Sequence, residues 1–279
     1  MAQTGDLLEI LRDVLLTVKL DNKPRFKQMV LENRARAEAG LIPGGHGVVD
    51  TRLRANFTEA DWLDEQLGGV QNLFFLRRLA DDVDHNWPEV LASLEEIRRR
   101  LLNSFLASLP AGPVEPATWT PEFSGVSEGL TIPAQVNYVA KGANLFDLGY
   151  KRHGSHLVIT NYLRTTWLWE KVRVQGGAYG GMCQFDSNAG VFSFLSYRDP
   201  NLLATLDVYD QAAHFLERAD INREELTKNI IGAISRLDAY QLPDAKGYTA
   251  LVRHLTGLTD QIRQQGSDEV LATTLATFR

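Results

Sequence analysis

Cysteine is almost absent from this chain of 279 residues, and the single Cys183 excludes an internal disulfide and fits a reducing compartment. Long apolar runs are missing too. No stretch reaches the ~18 apolar residues that a membrane-spanning helix needs. Nor is positive charge in excess: 29 Lys and Arg stand against 35 Asp and Glu, a formal net charge of −6. That balance argues against a nucleic-acid surface and favours a basic peptide only weakly. The opening segment MAQTGDLLEILRDVLLTVKL lacks the basic start and cleavage site of a secretory signal, and it begins inside a helical pattern, as a cut placed mid-protein would. What remains is globular in composition, at 44% hydrophobic and 23% charged residues, enough for one large domain or two modest ones.

Residues 1–109 read as helix after helix. Leu7, Leu8, Leu11, Leu15 and Val18 form one apolar stripe, and Phe26, Met29, Val30 and Ala37 form a second, behind Asp21 or Asn22 as cap and Pro24 in the first turn. Gly40 to Gly47 breaks the pattern. Thr58 with Asp61 three residues on is an N-cap signature for the next helix, which Gly68 and Gly69 can interrupt, and a further helix starts near Pro88 and runs through LEEIRRRLL. The triplet Arg98-Arg99-Arg100 is most simply its solvated face. Residues 110–128, with Pro110, Pro113, Pro116 and Pro121, form a linker.

From Gly129 the periodicity changes. The pattern predicts a strand over LTIPAQVNYVAKG, a loop at ANLFDL, a helix over about 156–172, a hairpin over about 179–197, and helices near 201–218, 222–239, 244–264 and 267–278. Phe192 and Phe194 fall on one face of the last strand and Val191, Leu195 and Tyr197 on the other, so this strand has apolar groups to bury on both sides and belongs in the middle of a sheet. Asp199-Pro200 with Asn201 gives a stop and a cap for the following helix.

The stretch RVQGGAYGGMCQFDSNAGVFSFLSYRDP, from Arg173 to Pro200, sets one arginine and one tyrosine either side of a glycine turn and follows them with the hairpin. An arginine at a helix end often only complements the dipole, and a tyrosine at a strand start often only packs. A guanidinium and a phenol held together are also two donors that keep their protons at neutral pH, fit for a polarised carbonyl or an oxyanion. Elsewhere the bland readings prevail. His153 and His156 are three residues apart but have no third ligand nearby in sequence, Cys183 suits a packed strand position better than a nucleophile, and Trp167 and Trp169 suit a core or inter-domain contact.

QGGAYGG, FSFLSYRDPNLL, PAQVNYVAKGANLFDLGY, HGSHLVITNYLRTTWLWEKVR and AYQLPDAKGY together resemble the C-terminal half of the presequence protease branch of the insulinase (pitrilysin) superfamily of zinc metallopeptidases, and the likeness runs through nearly the whole chain. The resemblance implies an α+β fold: a helix-rich N-terminal segment at 1–109, a remnant of the third peptidase-family domain, then a linker at 110–128. A two-layer α/β domain with a mainly antiparallel sheet follows at 129–279. It implies roles as well. Arg173 and Tyr179 would support the substrate carbonyl and the oxyanion, with Gly176, Gly177 and Ala178 against the substrate.

Zinc in such enzymes sits on H-x-x-E-H in the N-terminal half, and this chain has no such motif among its six histidines. The resemblance therefore implies zinc in the complete enzyme, bound by the N-terminal half, and none in this chain, which alone would be inactive. Its partners would be that catalytic half and a peptide substrate, with no nucleic acid and no membrane. The location would be cytoplasmic in a bacterium and an organelle matrix or stroma in a eukaryote. An alternative is a zinc-free peptide-binding or scaffold subunit that pairs with a separate catalytic subunit. Two departures from the family pattern stand out. A strand and helix expected between Leu102 and Phe105 are missing, which thins or removes the first sheet, and the text stops at Phe278-Arg279 before a last strand, which implies a second sheet short of an edge.

Overall fold

The computed structural model describes residues 4–102, 120–123, 125 and 127–278. The linker expected at 110–128 and the junction between Leu102 and Phe105 fall largely outside the described residues. Contacts divide the chain into two units, Met1–Pro43 with Leu63–Glu122, and Gly44–Trp62 with Phe123–Arg279.

The first unit is helical, with no strand among its described residues. It comprises α1 (Thr4–Leu16), α2 (Lys23–Leu41), the end of α4 (Glu59–Gly68), α5 (Val70–His85) and α6 (Trp87–Arg100). Asn22 caps α2 as its position predicts, its side chain accepting from the Arg25 N–H, with Pro24 in the first turn. The Gly68-Gly69 break ends α4, and buried Glu65 bridges the gap by accepting from the N–H groups of Val70 and Gln71 at 3.0 and 3.2 Å. A carboxylate there satisfies two of the N–H groups that a helix start leaves open. α2 packs on α5, and Phe26 meets Trp87 with ring centroids 5.8 Å apart.

The second unit carries the sheet. Among the described residues it has three antiparallel strands, β1 (Ala140–Asn144), β2 (Gly180–Phe185) and β3 (Val191–Tyr197), in the order β1-β3-β2. β3 is the central strand, as its two-faced apolar pattern predicts. The fold is α+β. Strand structure begins at Ala140 rather than Leu130, because bends fill 133–136 behind Pro133 and only Asn137 bridges to Asp199. The expected loop at ANLFDL starts as the end of β1.

Helices cover both faces of the sheet. α7 (His156–Thr165) packs against β2 on the face that carries Cys183, Phe192 and Phe194, with Leu168 and Val172 beyond it in the core. Fully buried Leu or Val side chains of this kind each contribute about 1.5–3 kcal/mol. The other face is taken by α3 (Gly45–Arg54), a helix from far upstream that packs on β1 and β3. Asp50 of α3 accepts from Ser193 Oγ at 2.8 Å and Gln184 Nε2 at 2.6 Å, and Arg54 bridges Asp61 and Asp186 at 2.9 and 2.7 Å. So the segment 44–62 belongs to the sheet unit, whereas the sequence pattern grouped it with its helical neighbours. Thr58 caps the start of α4, accepting from the Asp61 N–H at 3.1 Å.

α8 (Leu203–Asp210), α9 (Ala212–Glu217) and α10 (Arg223–Leu237) follow, then α11 (Pro243–Leu255) and α12 (Asp260–Leu271), with a 3₁₀ turn at Leu275–Phe278. The boundary expected between 264 and 267 lies instead at Thr256–Thr259. Gly257 adopts φ +69° there, which ends α11, and Thr259 caps α12 by accepting from the Ile262 N–H. No helix among the described residues is long and apolar enough to cross a membrane.

Candidate functional site

α7 does not stop cleanly. After Thr166 the chain continues as a π-helical turn, Trp169–Gln175, which carries Arg173 to the surface at the end of the run. The turn is closed by glycine. The N–H groups of Gly176 and Gly177 both reach Arg173 O, and that of Ala178 reaches Val172 O at 3.1 Å, a Schellman-like stop widened by one residue to suit the π register. Gly177 has φ +79°, and a Cβ on Gly176 would lie 2.6 Å from Val172 O, so neither position takes a side chain without strain.

The two predicted donors are brought together. The Arg173 guanidinium lies 4.4 Å from the centroid of the Trp169 ring and 5.4 Å from that of Tyr179, held between two aromatic faces. Tyr179 is 64% exposed, so its phenol is open to a ligand, and its ring rests edge-on against Tyr197 at 5.7 Å. The glycine turn behaves differently from a binding loop. Ala178 is buried and the N–H groups of 176–178 are all bonded internally, so this turn supplies shape while the side chains of Arg173 and Tyr179 supply donors.

A hydrogen-bonded clamp locks the turn from behind. Asn201 Nδ2 donates to Gly176 O at 2.6 Å, and buried Asp199 accepts from the Asn201 N–H at 2.9 Å and from Thr205 Oγ1 at 2.7 Å. Asn201 is therefore no helix cap. α8 starts two residues later with no side-chain cap, because Asn201's amide is already engaged by the glycine turn. Arg198 at φ +48° reverses the chain between Tyr197 and Asp199, and the Tyr179 N–H bonds Tyr197 O at 3.0 Å. Spacing in the sequence did not point to this clamp, which joins residues 25 apart. The signal available was an Asp-Pro-Asn following a strand, which reads equally well as a cap.

The remaining expectations resolve simply. Trp167 stacks on Phe215 and donates to Val208 O, a core role, but Trp169 is 48% exposed and serves Arg173. His153 Nδ1 pairs with Ser155 Oγ, and His156 packs edge-on against Phe185. Burial, with the charges of Arg152 and His153, brings the His156 pKa down to about 4. Cys183 is buried, and desolvation pushes its thiol up to about 12, the opposite of an activated nucleophile. Among the described residues no group of three His, Cys, Asp or Glu side chains is arranged to hold a metal ion, so the residues present do not fit a zinc site.

Beside Arg173 an open groove of about 490 Å³ runs along the free edge of β2, lined by Asn161, Arg164, Thr165, Trp169 and Arg173 on the helical side and Gly180 to Met182 on the strand side. An α+β unit with an exposed arginine–tyrosine pair at the mouth of such a groove is the architecture of an insulinase-type (M16) peptidase domain, and residues 1–79 match the family of regions associated with M16 peptidases of subgroup C. Residues 127–279 match "PreP C-terminal domain", and the chain belongs to the presequence protease family of M16 peptidases, as part of its C-terminal region.

Among its relatives, presequence protease 1, chloroplastic/mitochondrial, of Arabidopsis thaliana is 45% identical over 99% of this chain and 28% of its own length. Protein HypA of Clostridium perfringens is 27% identical over 97% of the chain and 30% of itself, and the mitochondrial presequence protease of Saccharomyces cerevisiae 24% over 98% and 31%. The chain thus spans between 28% and 31% of the length of these relatives.

Proposed function

We propose that this chain is the C-terminal, substrate-binding half of a zinc-dependent oligopeptidase that degrades unstructured peptides, cleaved targeting peptides among them. In this reading Arg173 and Tyr179 donate to the scissile carbonyl of an extended substrate. One observation supports it above others: the guanidinium and the phenol are neighbours, 5.4 Å from charge centre to ring centroid, on an exposed face beside a groove. Both groups are preorganised, Arg173 by two aromatic rings and Tyr179 by Tyr197, so little reorganisation is needed as charge develops on oxygen. The zinc chemistry belongs to an N-terminal catalytic half with its own H-x-x-E-H, and no step is assigned to a metal here. The names of the relatives favour targeting peptides as substrates. They favour an organelle matrix or stroma if the source is eukaryotic, with the cytoplasm for a bacterial enzyme.

The test needs the complete enzyme. Tyr179→Phe and Arg173→Ala should each lower kcat/KM by roughly 10²-fold or more, the scale for a lost oxyanion donor, with Tm unchanged. Arg173→Lys should restore only part, since an ammonium keeps the charge but not the planar fork. Wild-type kinetics in both variants would reduce the pair to structure and leave the zinc-free binding or scaffold subunit as the better reading.

A further inference from the structure

A second arginine lines the groove beside Arg173. Asn161, Arg164, Thr165, Trp169 and Arg173 fall at i, i+3, i+4, i+8 and i+12 along one helical run, so they share a face, and that face is one wall of the groove. The other wall is three consecutive residues, Gly180, Gly181 and Met182, of β2. Successive residues of a strand point to opposite faces, so all three can line one groove only where it follows the strand's edge. Among the described residues β2 pairs with β3 alone, which leaves that edge with backbone groups open to an added strand.

Charge along this wall is one-sided. Arg54, Arg77, Arg99 and Arg263 all form ion pairs, but among the described residues no carboxylate pairs with Arg164 or Arg173, although acidic residues outnumber basic ones in the chain. Arg236 lies close enough to Arg164 for the two charges to repel: burial and then the Arg164 charge lower the Arg236 pKa. An anion entering here would meet unpaired donors.

We propose that Arg164 forms a carboxylate subsite, which holds an acidic side chain or the terminal carboxylate of a peptide lying extended along the edge of β2, about four residues from the carbonyl that Arg173 engages. It rests on the substrate role proposed for Arg173. The spacing follows from geometry: nine helical positions separate the two arginines, about 13 Å at ~1.5 Å per residue, and an extended peptide covers that in about four residues at ~3.3 Å each. A guanidinium binds carboxylate through two parallel N–H···O bonds, which gives the subsite a preference for position as well as charge.

In the complete enzyme, kcat/KM is measured for a fluorogenic peptide series in which one Glu, set against Gln, moves a residue at a time away from the cleaved bond on either side. A second arm compares free with amidated C-termini at each length. The wild type should show a preference of roughly tenfold for a carboxylate near the fourth position, and Arg164→Gln should flatten it while leaving the Gln peptides and Tm unchanged. Whichever arm loses its preference names the source of the carboxylate, side chain or terminus. A flat profile in the wild type, or a preference that persists in Arg164→Gln, overturns the subsite. Arg173→Ala is the control for the underlying role: it should depress every peptide alike, and if it leaves all of them unchanged, the substrate role of the pair fails first and the subsite with it.

Discussion

Single residues decide whether Arg173 and Tyr179 meet. Six positions apart, they are separated by a turn that depends on Gly177 at φ +79° and on the Asn201 amide bonded to Gly176 O. A Cβ at Gly177 would have only the Pro200 ring within reach, at 3.6 Å, so space is adequate and conformation is the obstacle. Gly177→Ala should therefore cost about 1–2 kcal/mol, the penalty of the left-handed region for a residue with a Cβ, read as a lowered urea midpoint. A neutral midpoint would mean that the turn relaxes at no expense and is not what fixes the pair. The rings that flank Arg173 belong to the same scale: Trp169 lies four residues before it, so both the aromatic and the cation ride on one helical face.

Among elements, α3 has the least expected position. It is short, ten residues, and weakly apolar, yet it covers the face of the sheet opposite α7. Polar anchors hold it there. Burial works against the Arg54 charge, but hydrogen bonds and charge from Asp186 and Asp61 outweigh it and raise the Arg54 pKa above the ordinary value. The Asp186 partner sits in the β2–β3 turn and also accepts from the N–H groups of Asn188 and Ala189, so Arg54 links α3 to the hairpin that begins at the candidate site. Arg54→Ala should cost roughly 2–3 kcal/mol, somewhat less than the 3–5 typical of a fully buried pair because Asp186 is partly solvated. Chemical denaturation checks this, and a change below about 0.5 kcal/mol would show that packing of α3 alone suffices.

For the whole molecule, pH gives the cleanest reading. His156 titrates near 6.5 when unfolded, but burial holds it at about 4 in the fold, so between those values the unfolded state binds more protons. Stability contributed by the neutral imidazole is thus complete above pH 6.5 and lost progressively as pH falls toward 4. Carboxylates such as Glu269 and Asp186 sit below their ordinary range in the fold, despite the opposing push of burial, because hydrogen bonds to them prevail. They act in the same direction but only below about 4.5. His156→Gln should then flatten the urea midpoint between pH 6.5 and 5 and leave the steeper loss below 4.5. An unaltered slope in that upper window would assign it to other groups.

Helix periodicity, the Asn22 and Thr58 caps, the hairpin with its central strand, and the Arg173–Tyr179 pair were all legible in the sequence, because each depends on residues within a few positions of one another. Local chemistry fixes such features wherever the segment ends up. Three others were decided only in the folded chain. α3 joins the sheet across more than a hundred residues, since Asp50 reaches Ser193 and Gln184, and nothing in its own short pattern names that partner. Asn201 reads locally as a cap, and becomes a clamp because folding lays the glycine turn against it. Arg164 reads as one more surface cation on an amphipathic helix. It becomes a candidate subsite only because the edge of β2 lies opposite it, and the placement of a strand edge beside a helix face is set by tertiary packing.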